Sequence, residues 1–437
     1  MEPCIQSKAL LRAAKSIAEI KKCAEFGVVL PDNGSFRVDF GKIMQRLREK
    51  RTQIAPADGH PGTTNAGAHV FQGFGTFTGP NTIDVGGTTL KFKKAVIATG
   101  GRPMIPPVPG LDQAPYTTNE ILFNLQTLPP RMVILGAGVI ALEMAQCFAL
   151  FGSQVTVLQR SSRLFESKHG DQEAAELLQK ELENSGVAFL SGSAKQVTTL
   201  KGRSVVDYSD LPLMRVTVET TGEGTVDLEC ECFLVATGRA PNVEKLNLEA
   251  AGVTYKVGKG VEVNDLAQSS NSNIYAVGDC VAGVPRLTHM SGEMAKLVVQ
   301  NALFGDDWKL SSLVVPAVAY TEPEYATAGI YSQDMAEQHG LAVDTYRAGL
   351  EHNDRGILES SNVGFCKIFC KKGTDEIVGC TIVAERAGEM INEVTLAMKN
   401  KIGLREIGRN IHAYPTTSEA VMGCGIQYIN SHWARLD

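Results

Sequence analysis

The chain begins on side chains that could carry redox chemistry. Cys4, Ser7 and Lys8 lie in the stretch CIQSK, close to the first residue, and an apolar, Ala-rich segment follows them directly. A lone cysteine of this kind can form a mixed disulfide or a sulfenic acid, but it cannot form an internal dithiol. The chemistry of Cys4 therefore depends on the elements that the rest of the chain places around it.

A second stretch with functional spacing is rich in glycine. It follows an apolar strand predicted at 131–135, in the sequence RMVILGAGVIALE. It has the spacing G-x-G-x-x-A, and a helix and a second strand at 154–159 are expected after it. The first glycine permits a tight turn, the second lets the backbone approach a pyrophosphate, and the small third residue lets helix pack on strand. The helix start, with its free N–H groups, predicts a dinucleotide site formed by Gly136, Gly138, Val139, Ile140 and Ala141. A purely structural βαβ unit is the alternative.

The end of the second strand decides which dinucleotide is favoured. An NAD site usually has Asp or Glu there, and its carboxylate bonds the ribose 2′-hydroxyl. This chain has Gln159, Arg160 and Arg163 instead, so no acid repels a 2′-phosphate and two guanidinium groups can bind one. NADP is therefore predicted, and the alternative is an NAD site beside two solvated arginines.

Three further strand ends predict a flavin site. AVIATGGRP and FLVATGRAPN are near-copies, and the strand NIYAVGDC ends on a Gly-Asp pair. A carboxylate at such a strand end can accept a hydrogen bond from a ribityl hydroxyl, and the helix expected after RLTH directs its N-terminus at the anionic edge of a reduced flavin. A flavin site is therefore predicted at these strand ends and at the helix after RLTH, with the candidate binding residues Ala98, Thr99, Gly100, Gly238, Arg239, Gly278, Asp279, Leu287, Thr288 and His289.

Size and composition exclude several classes of protein. The 437 residues allow two or three domains, and 43% hydrophobic with 21% charged residues is ordinary for a soluble α/β protein. A net charge of −6 supplies no basic field for nucleic acid or a membrane surface. The ten cysteines lack zinc-ligand spacing, so they are interpreted as structural thiols in a reducing compartment, and no metal site is predicted. We expect a soluble protein of the cytoplasm or an organelle interior, with no nucleic-acid or membrane partner.

The hydrophobic periodicity gives a coarse map of the elements. It predicts helices at 7–30, 36–55 and 387–400, with a Gly/Pro/Asn-rich loop at 56–66. Short strands are predicted from AHVFQG at 68–73 onward. Strands and helices mix along most of the chain, which indicates an α/β protein.

These motifs resemble, in order along nearly the whole chain, the pyridine-nucleotide flavin disulfide reductases, which include dihydrolipoamide dehydrogenase, glutathione reductase and mercuric reductase. The matching stretches include CIQSKALL, IATGGRP, GAGVIALE, ATGRAPN, YAVGDC, YTEPEYATAG and IHAYPTTSEA, with the closest likeness to mercuric-reductase-like and dihydrolipoamide-dehydrogenase-like members. The resemblance implies an α/β fold with Rossmann-like FAD and NAD(P) domains and a C-terminal α+β dimerisation domain. The implied boundaries are 1–125 with 244–308 for FAD, 126–243 for NAD(P) and 312–437 for dimerisation.

The same resemblance implies roles for individual residues. In the family, NAD(P)H passes hydride to flavin, which reduces a C-x-x-x-x-C disulfide. Cys4 matches the flavin-facing second cysteine, Lys8 the lysine near flavin N5, and Glu143 its acidic partner beside the nicotinamide. Tyr414 and Glu419 occupy the His and Glu positions of a base contributed across a homodimer. The predicted cofactor-binding set is completed by Gly75, Lys8 and Glu143.

Three departures from the family pattern affect the expected activity. One complete fingerprint is present, so the FAD domain is expected to lack its first βαβ unit and the chain to be N-terminally truncated. Cys4 has no motif partner, because the first redox cysteine would precede Met1, and Gln6 replaces the usual proline. Tyr414 stands where the base is His, and a side chain with a pKa of about 10 is a poor proton acceptor at neutral pH. His412 is an alternative base.

The expected function is a flavin-dependent oxidoreductase that passes hydride from NADPH through FAD to a disulfide or a thiol-bound metal ion, as in mercuric reductase. One alternative is a dihydrolipoyl-dehydrogenase-like enzyme. The other is a truncated, catalytically impaired fragment that binds NADP and dimerises. The expected partners are a small-molecule or metal-ion electron acceptor and a second copy of the chain, joined through the C-terminal domain.

Overall fold

The chain divides into two compact units. The computed structural model describes residues 3–31, 35–166, 170–202, 209–222 and 224–433. The first unit consists of Met1–Cys4, Lys50–Met104 and Gly238–Leu313. The second unit consists of Ile5–Glu49, Ile105–Thr237 and Val314–Asp437. Each unit is thus assembled from separate stretches of the chain.

Helices and strands alternate along much of the sequence, as the periodicity predicted. The helices are α1 (Pro3–Lys22), α2 (Phe40–Asp58), α3 (His60–Asn65), α4 (Val139–Phe151), α5 (Gln172–Asn184), α6 (Thr288–Val299), α7 (Gln333–Gln338), α8 (Asp354–Leu358), α9 (Ala387–Lys399), α10 (Leu404–Arg409) and α11 (Glu419–Ser431). Across the described ranges, none of them combines the length and the apolar character needed to cross a membrane.

The strands are distributed over both units. They are β1 (Gly75–Gly79), β2 (Thr82–Val85), β3 (Thr88–Lys91), β4 (Ala95–Ile97), β5 (Gly101–Pro103), β6 (Arg131–Leu135), β7 (Gln154–Gln159), β8 (Val187–Lys201), β9 (Leu213–Thr220), β10 (Gly224–Cys230), β11 (Cys232–Val235), β12 (Arg239–Pro241), β13 (Tyr255–Lys256), β14 (Gly260–Val261), β15 (Ile274–Ala276), β16 (Pro316–Ala319), β17 (Glu324–Gly329), β18 (Val343–Gly349), β19 (Phe365–Lys371) and β20 (Ile377–Ala384).

The first two helices differ from their predicted bounds for local reasons. α1 is shorter than the predicted 7–30, because Gly27 takes a φ of 77° and closes the 3₁₀ turn that follows the helix. α2 begins later than predicted, where Asp39 Oδ1 accepts a hydrogen bond from Lys42 N at 3.1 Å. The predicted loop after α2 contains the short helix α3, and the predicted strand AHVFQG is irregular.

A six-stranded sheet in the second unit has the order β10-β9-β8-β7-β6-β11. β11, β6, β7 and β8 are parallel neighbours, while β8, β9 and β10 pair antiparallel. α4 joins β6 to β7, so the G-x-G-x-x-A stretch opens a βαβ unit as predicted. The strand and helix share one buried apolar cluster, which includes Met132, Ile134, Ala141, Ala145 and Phe148.

The two glycines between β6 and α4 have different structural requirements. Gly136 has a φ of 113°, and a Cβ added there would lie 2.5 Å from Ala236 O. Gly138 has a φ of −79°, and an added Cβ would meet no heavy atom within 4 Å. The backbone itself therefore requires glycine at the first position but not at the second.

In the first unit, the two ATG near-copies lead into strands that pair with each other. β5 follows the first copy and β12 follows the second, and they form an antiparallel ribbon in which Gly101 lies opposite Pro241. β4 pairs in parallel with β15, the strand of the YAVGDC stretch. β1, β2 and β3 form a separate three-stranded antiparallel sheet.

The C-terminal part of the second unit contains a five-stranded sheet of order β16-β17-β20-β19-β18, which is antiparallel throughout. α9, α10 and α11 contribute to its core, whose buried members include Ile368, Ile382, Val394, Leu404 and Val421. This sheet follows the parallel βαβ unit in the chain. The predicted fold class, α/β with a C-terminal α+β domain, is confirmed.

A buried ion-pair network joins α5 to this C-terminal sheet. Lys367 Nζ on β19 lies 2.8 Å from Asp171 Oδ2 and 2.8 Å from Glu173 Oε2. Asp171 is also the N-cap of α5 and accepts from Ala174 N at 3.0 Å. Burial alone would raise the pKa of Glu173, but hydrogen bonds from Arg347 and Lys367 outweigh it and hold that pKa below its ordinary value. The network ties the nucleotide-type sheet to the C-terminal sheet within one unit.

Glu324 is a partly buried carboxyl at the start of β17. Its Oε2 accepts a hydrogen bond from Gly388 N at 2.8 Å. Burial raises the pKa of Glu324 from 4.5 to about 7, and the bond from Gly388 offsets only part of that effect. Between these two values the folded state binds more protons than the unfolded state, so the free energy of unfolding falls as the pH rises through that range.

We predict that Glu324→Gln becomes stabilising as the pH rises. The amide oxygen can still accept from Gly388 N, while the desolvated charge is removed. The difference in unfolding free energy between variant and wild type should grow by about 2 to 3 kcal/mol from pH 5 to pH 8.5, measured by urea unfolding. Glu120→Gln, at an exposed glutamate, is the matched control. An equal effect of Glu324→Gln at both pH values would contradict the burial argument.

We also predict opposite outcomes for alanine at the two fingerprint glycines. Gly136→Ala places a Cβ against Ala236 O in a left-handed conformation, so it should cost at least about 2 kcal/mol of unfolding free energy. Gly138→Ala meets no neighbour and should change stability by less than about 1 kcal/mol. Thermal or urea unfolding of both variants checks this, and equal destabilisation would show that the turn differs from the one described.

Candidate active site and nucleotide-binding site

The N-terminus of α4 is arranged to receive an anion. Gly138 is its N-cap residue and has no side chain with which to bond the first amides. The first helical bond runs from Leu142 N to Gly138 O at 3.0 Å, so the N–H groups of Val139, Ile140 and Ala141 lack acceptors within the helix. With open space beside Gly138, these donors and the helix dipole can bind a pyrophosphate oxygen.

The end of β7 presents an unsatisfied polar atom. Gln159 is 4% exposed, and its Nε2 donates to Ser162 O at 3.4 Å. Its Oε1 has no hydrogen-bond partner among the described residues. An unpartnered buried acceptor costs about 1 to 3 kcal/mol, so a hydroxyl donor from a ligand would stabilise this position. Arg160 and Arg163 are exposed, and neither forms an ion pair within the part of the chain that the structure describes.

Lys8 and Glu143 form the central ion pair of the second unit. Lys8 Nζ lies 2.9 Å and 3.0 Å from the two carboxylate oxygens of Glu143, which is only 2% exposed. Tyr320 N donates to Glu143 Oε1 at 3.0 Å. The predicted partners from α1 and α4 are thus in contact, and a third residue joins them.

The strand ends of the first unit are held together by reciprocal hydrogen bonds. Thr99 Oγ1 donates to Asn242 O at 2.6 Å, and Asn242 Nδ2 donates to Thr99 O at 3.0 Å. Ala98 and Gly100 flank Thr99 after β4, and Gly100 has a φ of 66°. Gly238, which precedes β12, has a φ of 129°. The two near-copies therefore form one rigid corner.

Asp279 lies at that same corner, directly after β15. Arg239 Nε donates to Asp279 Oδ2 at 2.7 Å, and Arg239 Nη2 donates to Gly101 O at 2.7 Å. Gly278 has a φ of 73°, and a Cβ there would lie 2.7 Å from Ser291 Oγ. A Cβ on Gly101 would press on Asp279 Cβ at 3.2 Å. Small residues thus surround the carboxylate and leave its position tightly defined.

The remaining flavin candidates occupy two places in the first unit. Leu287 is the N-cap of α6, and its apolar side chain makes no capping hydrogen bond. Thr288 and His289 are its exposed first residues. Gly75 opens β1 of the three-stranded sheet, where it pairs with Val85.

Tyr414 and Glu419 lie in one segment that leads into α11. Tyr414 is 72% exposed, and its hydroxyl donates to Asp354 Oδ2 at 2.7 Å. That hydrogen bond raises the pKa of Tyr414 above its ordinary value of 10. Glu419 Oε2 accepts from Thr416 N at 3.0 Å. The tyrosine therefore stays protonated at neutral pH and can donate a hydrogen bond but not accept a proton.

His412, the alternative base, is held by two acceptors. Its Nδ1 lies 3.1 Å from Asn410 O, and its Nε2 lies 3.1 Å from Glu393 Oε2. Both contacts are hydrogen bonds only when both ring nitrogens carry protons. Both ring nitrogens therefore face oxygen atoms of the chain itself.

Most of the cysteines in the described regions are buried. Cys4 lies in the first turn of α1, and its side chain is outside the described set. Apart from Cys23, which is half-buried, the cysteines described are buried. Burial raises the pKa of Cys232 to about 12 and that of Cys380 to about 12, so these thiols remain protonated. No group of three or more His, Cys, Asp or Glu side chains within the described ranges is arranged to hold a metal ion.

The residues fit a pyridine nucleotide and part of a flavin dinucleotide. The orphaned Gln159 Oε1 and the open space at Gly138 suit a dinucleotide on the βαβ unit. The glycine-lined Asp279 carboxylate and the uncapped start of α6 suit the ribityl and ring portion of FAD. The 437-residue sequence carries one G-x-G-x-x-A fingerprint, and the βαβ unit of the second unit contains it.

Two of the contacts that sequence reasoning missed involve the predicted catalytic residues Glu143 and Tyr414. Tyr320 stands in the recognised stretch YTEPEYATAG, but its contact with Glu143 runs through the backbone and leaves no side-chain signal. Asp354 bonds the Tyr414 hydroxyl from 60 residues away in the chain. Hydrophobic periodicity describes neighbours within one helix or strand. It therefore cannot predict a contact between residues this far apart in the sequence.

Comparisons with known proteins cover almost the entire chain. A family model described as pyridine nucleotide-disulphide oxidoreductase matches residues 1–295, and the dimerisation-domain model of the same family matches residues 315–423. A mercuric reductase from Lysinibacillus sphaericus is 30% identical over 434 residues, covering 98% of this chain and 76% of that protein. A dihydrolipoyl dehydrogenase from Staphylococcus aureus is 31% identical over 424 residues, covering 96% of this chain and 86% of that protein.

Solved structures agree in fold. RclA from Escherichia coli, an HOCl-induced flavoprotein disulfide reductase, has a TM-score of 0.80 at 23% identity, over 96% of this chain and 88% of that one. LpdA from Mycobacterium tuberculosis has a TM-score of 0.81 at 24% identity, over 97% of this chain and 90% of that one. The fingerprint, the paired ATG corners and these comparisons lead to one conclusion. The chain belongs to the pyridine nucleotide-disulphide oxidoreductase family, whose chemistry uses FAD and a pyridine nucleotide.

Proposed function

We propose that this protein takes two electrons from NADPH and delivers them, with FAD as cofactor, to a thiol-bound soft metal ion or a disulfide. The observation that carries the proposal is the Lys8–Glu143 pair. Its carboxylate is buried and lies on the helix that begins at the nucleotide fingerprint, and its ammonium group comes from α1. A charged pair so placed is expensive to bury, and clustered charges of this kind are typical of functional sites. FAD, when bound, supplies the two-electron redox chemistry.

The proposed roles of the residue ranges follow the domains inferred from the family resemblance. Residues 1–125 and 244–308 are proposed to bind FAD, residues 126–243 to bind NADPH, and residues 312–437 to form the dimer interface. Asp279 is proposed to bind the ribityl chain, and the ATG corners to line the cofactor. Gly75, which pairs with Val85 in the three-stranded sheet, is retained in the proposed FAD set.

Cys4 is proposed as the thiol that meets the electron acceptor, with Lys8 and Glu143 holding the charges beside it. A thiolate binds soft metal ions and attacks disulfides, and a nearby ammonium group favours the thiolate form. Lys8 follows Cys4 by one helical turn in α1. This spacing supports a joint role for the two side chains.

A metal-ion acceptor is favoured over a lipoyl disulfide by the residue at position 414. The Tyr414 hydroxyl bonds Asp354, which raises the pKa of the tyrosine, so it cannot act as the general base that a dithiol substrate needs. Mercuric reductases are among the relatives that match nearly the full chain. Tyr414 and Glu419 are proposed to lie beside the acceptor, with the Tyr414 hydroxyl held by its hydrogen bond to Asp354.

A homodimer is proposed through the C-terminal domain, in line with the dimerisation-domain match. Several large apolar side chains of this domain are exposed in the single chain, including Leu396, Ile402, Ile411 and Trp433. Ile411 is 94% exposed and lies in the same segment as Tyr414. Contact with a second copy would remove this apolar surface from water.

We predict that the chain, reconstituted with FAD, oxidises NADPH faster with Hg(II) in excess thiol than with lipoamide or glutathione disulfide. Cys4→Ser should abolish reduction of the acceptor and leave reduction of the bound flavin by NADPH intact, as followed by stopped-flow absorbance. Cys23→Ser, at a half-buried thiol, is the matched control and should keep full activity.

Other outcomes of this assay discriminate among the functions. Turnover with lipoamide alone would assign the chain to the dihydrolipoyl dehydrogenase group. Failure to retain FAD after reconstitution, with NADPH still bound, would support the catalytically impaired, dimerising alternative and reject the proposed reaction.

We predict that the two exposed arginines select NADPH. Replacing both, in Arg160→Ala/Arg163→Ala, should weaken binding of 2′,5′-ADP about 10- to 100-fold, because charge-assisted hydrogen bonds to the 2′-phosphate are lost. Binding of 5′-ADP should change less than twofold, measured by calorimetry at constant salt. Arg46→Ala removes an equally exposed arginine from α2 and serves as the control. Tighter binding of NADH than NADPH by the wild type would overturn the assignment.

A further inference from the structure

The segment that joins β16 to β17 is fastened to α4 at two points. Gln146 Oε1 accepts from Glu322 N at 2.7 Å, and Gln146 Nε2 donates to Glu322 O at 2.8 Å. One turn earlier on the helix, Glu143 Oε1 accepts from Tyr320 N at 3.0 Å. A side-chain amide and a carboxylate on one face of α4 therefore satisfy the backbone of residues 320–322.

With the backbone of residues 320–322 held in this way, the ring of Tyr320 lies over Lys8 Nζ. Lys8 Nζ lies 4.3 Å from the centroid of the Tyr320 ring and within 3.0 Å of both Glu143 oxygens. The ammonium group thus has a carboxylate on one side and an aromatic face on the other. The negative face of an aromatic ring attracts a cation at this distance, and the attraction is stronger where water is partly excluded.

Without the ring, the ion pair with Glu143 would be the main restraint on the Lys8 ammonium group. Its side chain is 39% exposed and has a flexible four-carbon stem, so it could extend into solvent. Glu143, whose side chain is 2% exposed, would then lose its cation and retain the hydrogen bond from Tyr320 N. Tyr320 donates a hydrogen bond to the Glu143 carboxylate and places its ring against the Lys8 ammonium group, so it can set the geometry of the pair.

We propose that Tyr320 is a positioning residue for the Lys8–Glu143 pair: its backbone amide fixes the carboxylate, and its ring holds the Lys8 ammonium against that carboxylate. The geometry stands on its own, whereas its relevance to electron transfer rests on the proposed function. The C-terminal sheet thereby contributes to the active site of the same chain through one tyrosine.

Acetylation of Lys8 tests this without cofactor or turnover, because only the neutral amine reacts. The protein is treated with N-hydroxysuccinimidyl acetate at low extent, and the modification of Lys8 and Lys15 is quantified by mass spectrometry of one digest. Lys15 is an internal reference on the same helix, with 33% exposure of its side chain and ion pairs to Glu322 and Glu385. General loosening of the segment would therefore change both lysines.

The variants separate the electronic character of the ring from its shape. The series compares the native tyrosine with Tyr320→Phe and with versions of that phenylalanine that carry one, two or three ring fluorines. Fluorine weakens the negative face of the ring and hardly changes its size. The ratio of Lys8 to Lys15 acetylation should stay near the wild-type value for Tyr320→Phe and rise stepwise with fluorination, by about two- to fivefold in total. Tyr320→Leu should raise it at least as much.

Two results would overturn the proposal: a ratio that does not respond to fluorination, or a rise in Lys15 modification that parallels Lys8. The outcome is separate from that of the proposed function. A chain that shows the fluorine series but never reduces its flavin with NADPH would retain this role for Tyr320 and lose the proposed reaction.

Discussion

The burial of one negative charge organises the second unit. Glu143 lies in a helix that is otherwise almost entirely apolar, and its side chain is 2% exposed. A carboxylate in such surroundings is strongly destabilising unless it is paired and hydrogen-bonded. Lys8 from α1 and the amide of Tyr320 satisfy it, so three segments that are distant in sequence must meet at this helix. The requirement joins α1, the nucleotide-type βαβ unit and the C-terminal sheet.

Other polar contacts reinforce the same junction and give each element a defined place. Gln146 bonds the backbone at Glu322, and Lys367 pairs with Asp171 at the start of α5. Partly buried polar and charged contacts therefore occur at more than one point where the C-terminal sheet meets the helices of the βαβ unit. Apolar packing supplies most of the stability, whereas these directional contacts determine which surfaces meet.

Local motifs were predictable because each of them is a short-range requirement. The turn at Gly136 needs a left-handed backbone next to Ala236 O, and only glycine meets it cheaply, so the fingerprint could be read without a structure. The near-copies around Thr99 and Gly238 were recognised as strand ends for the same reason. The bounds of α1 and α2 were less accurate, because they depend on single capping residues such as Gly27 and Asp39.

The sequence by itself determined the family, the fold class, the nucleotide fingerprint and, through the family resemblance, the candidate pair of Lys8 and Glu143. The tertiary structure alone decided which residues complete these sites. It placed Tyr320 against the pair, directed Asp354 to the Tyr414 hydroxyl and engaged both nitrogens of His412. The physical reason is that turns and helix starts are encoded by neighbours in the chain, whereas hydrogen bonds and cation–π contacts between distant segments exist only after those segments pack together.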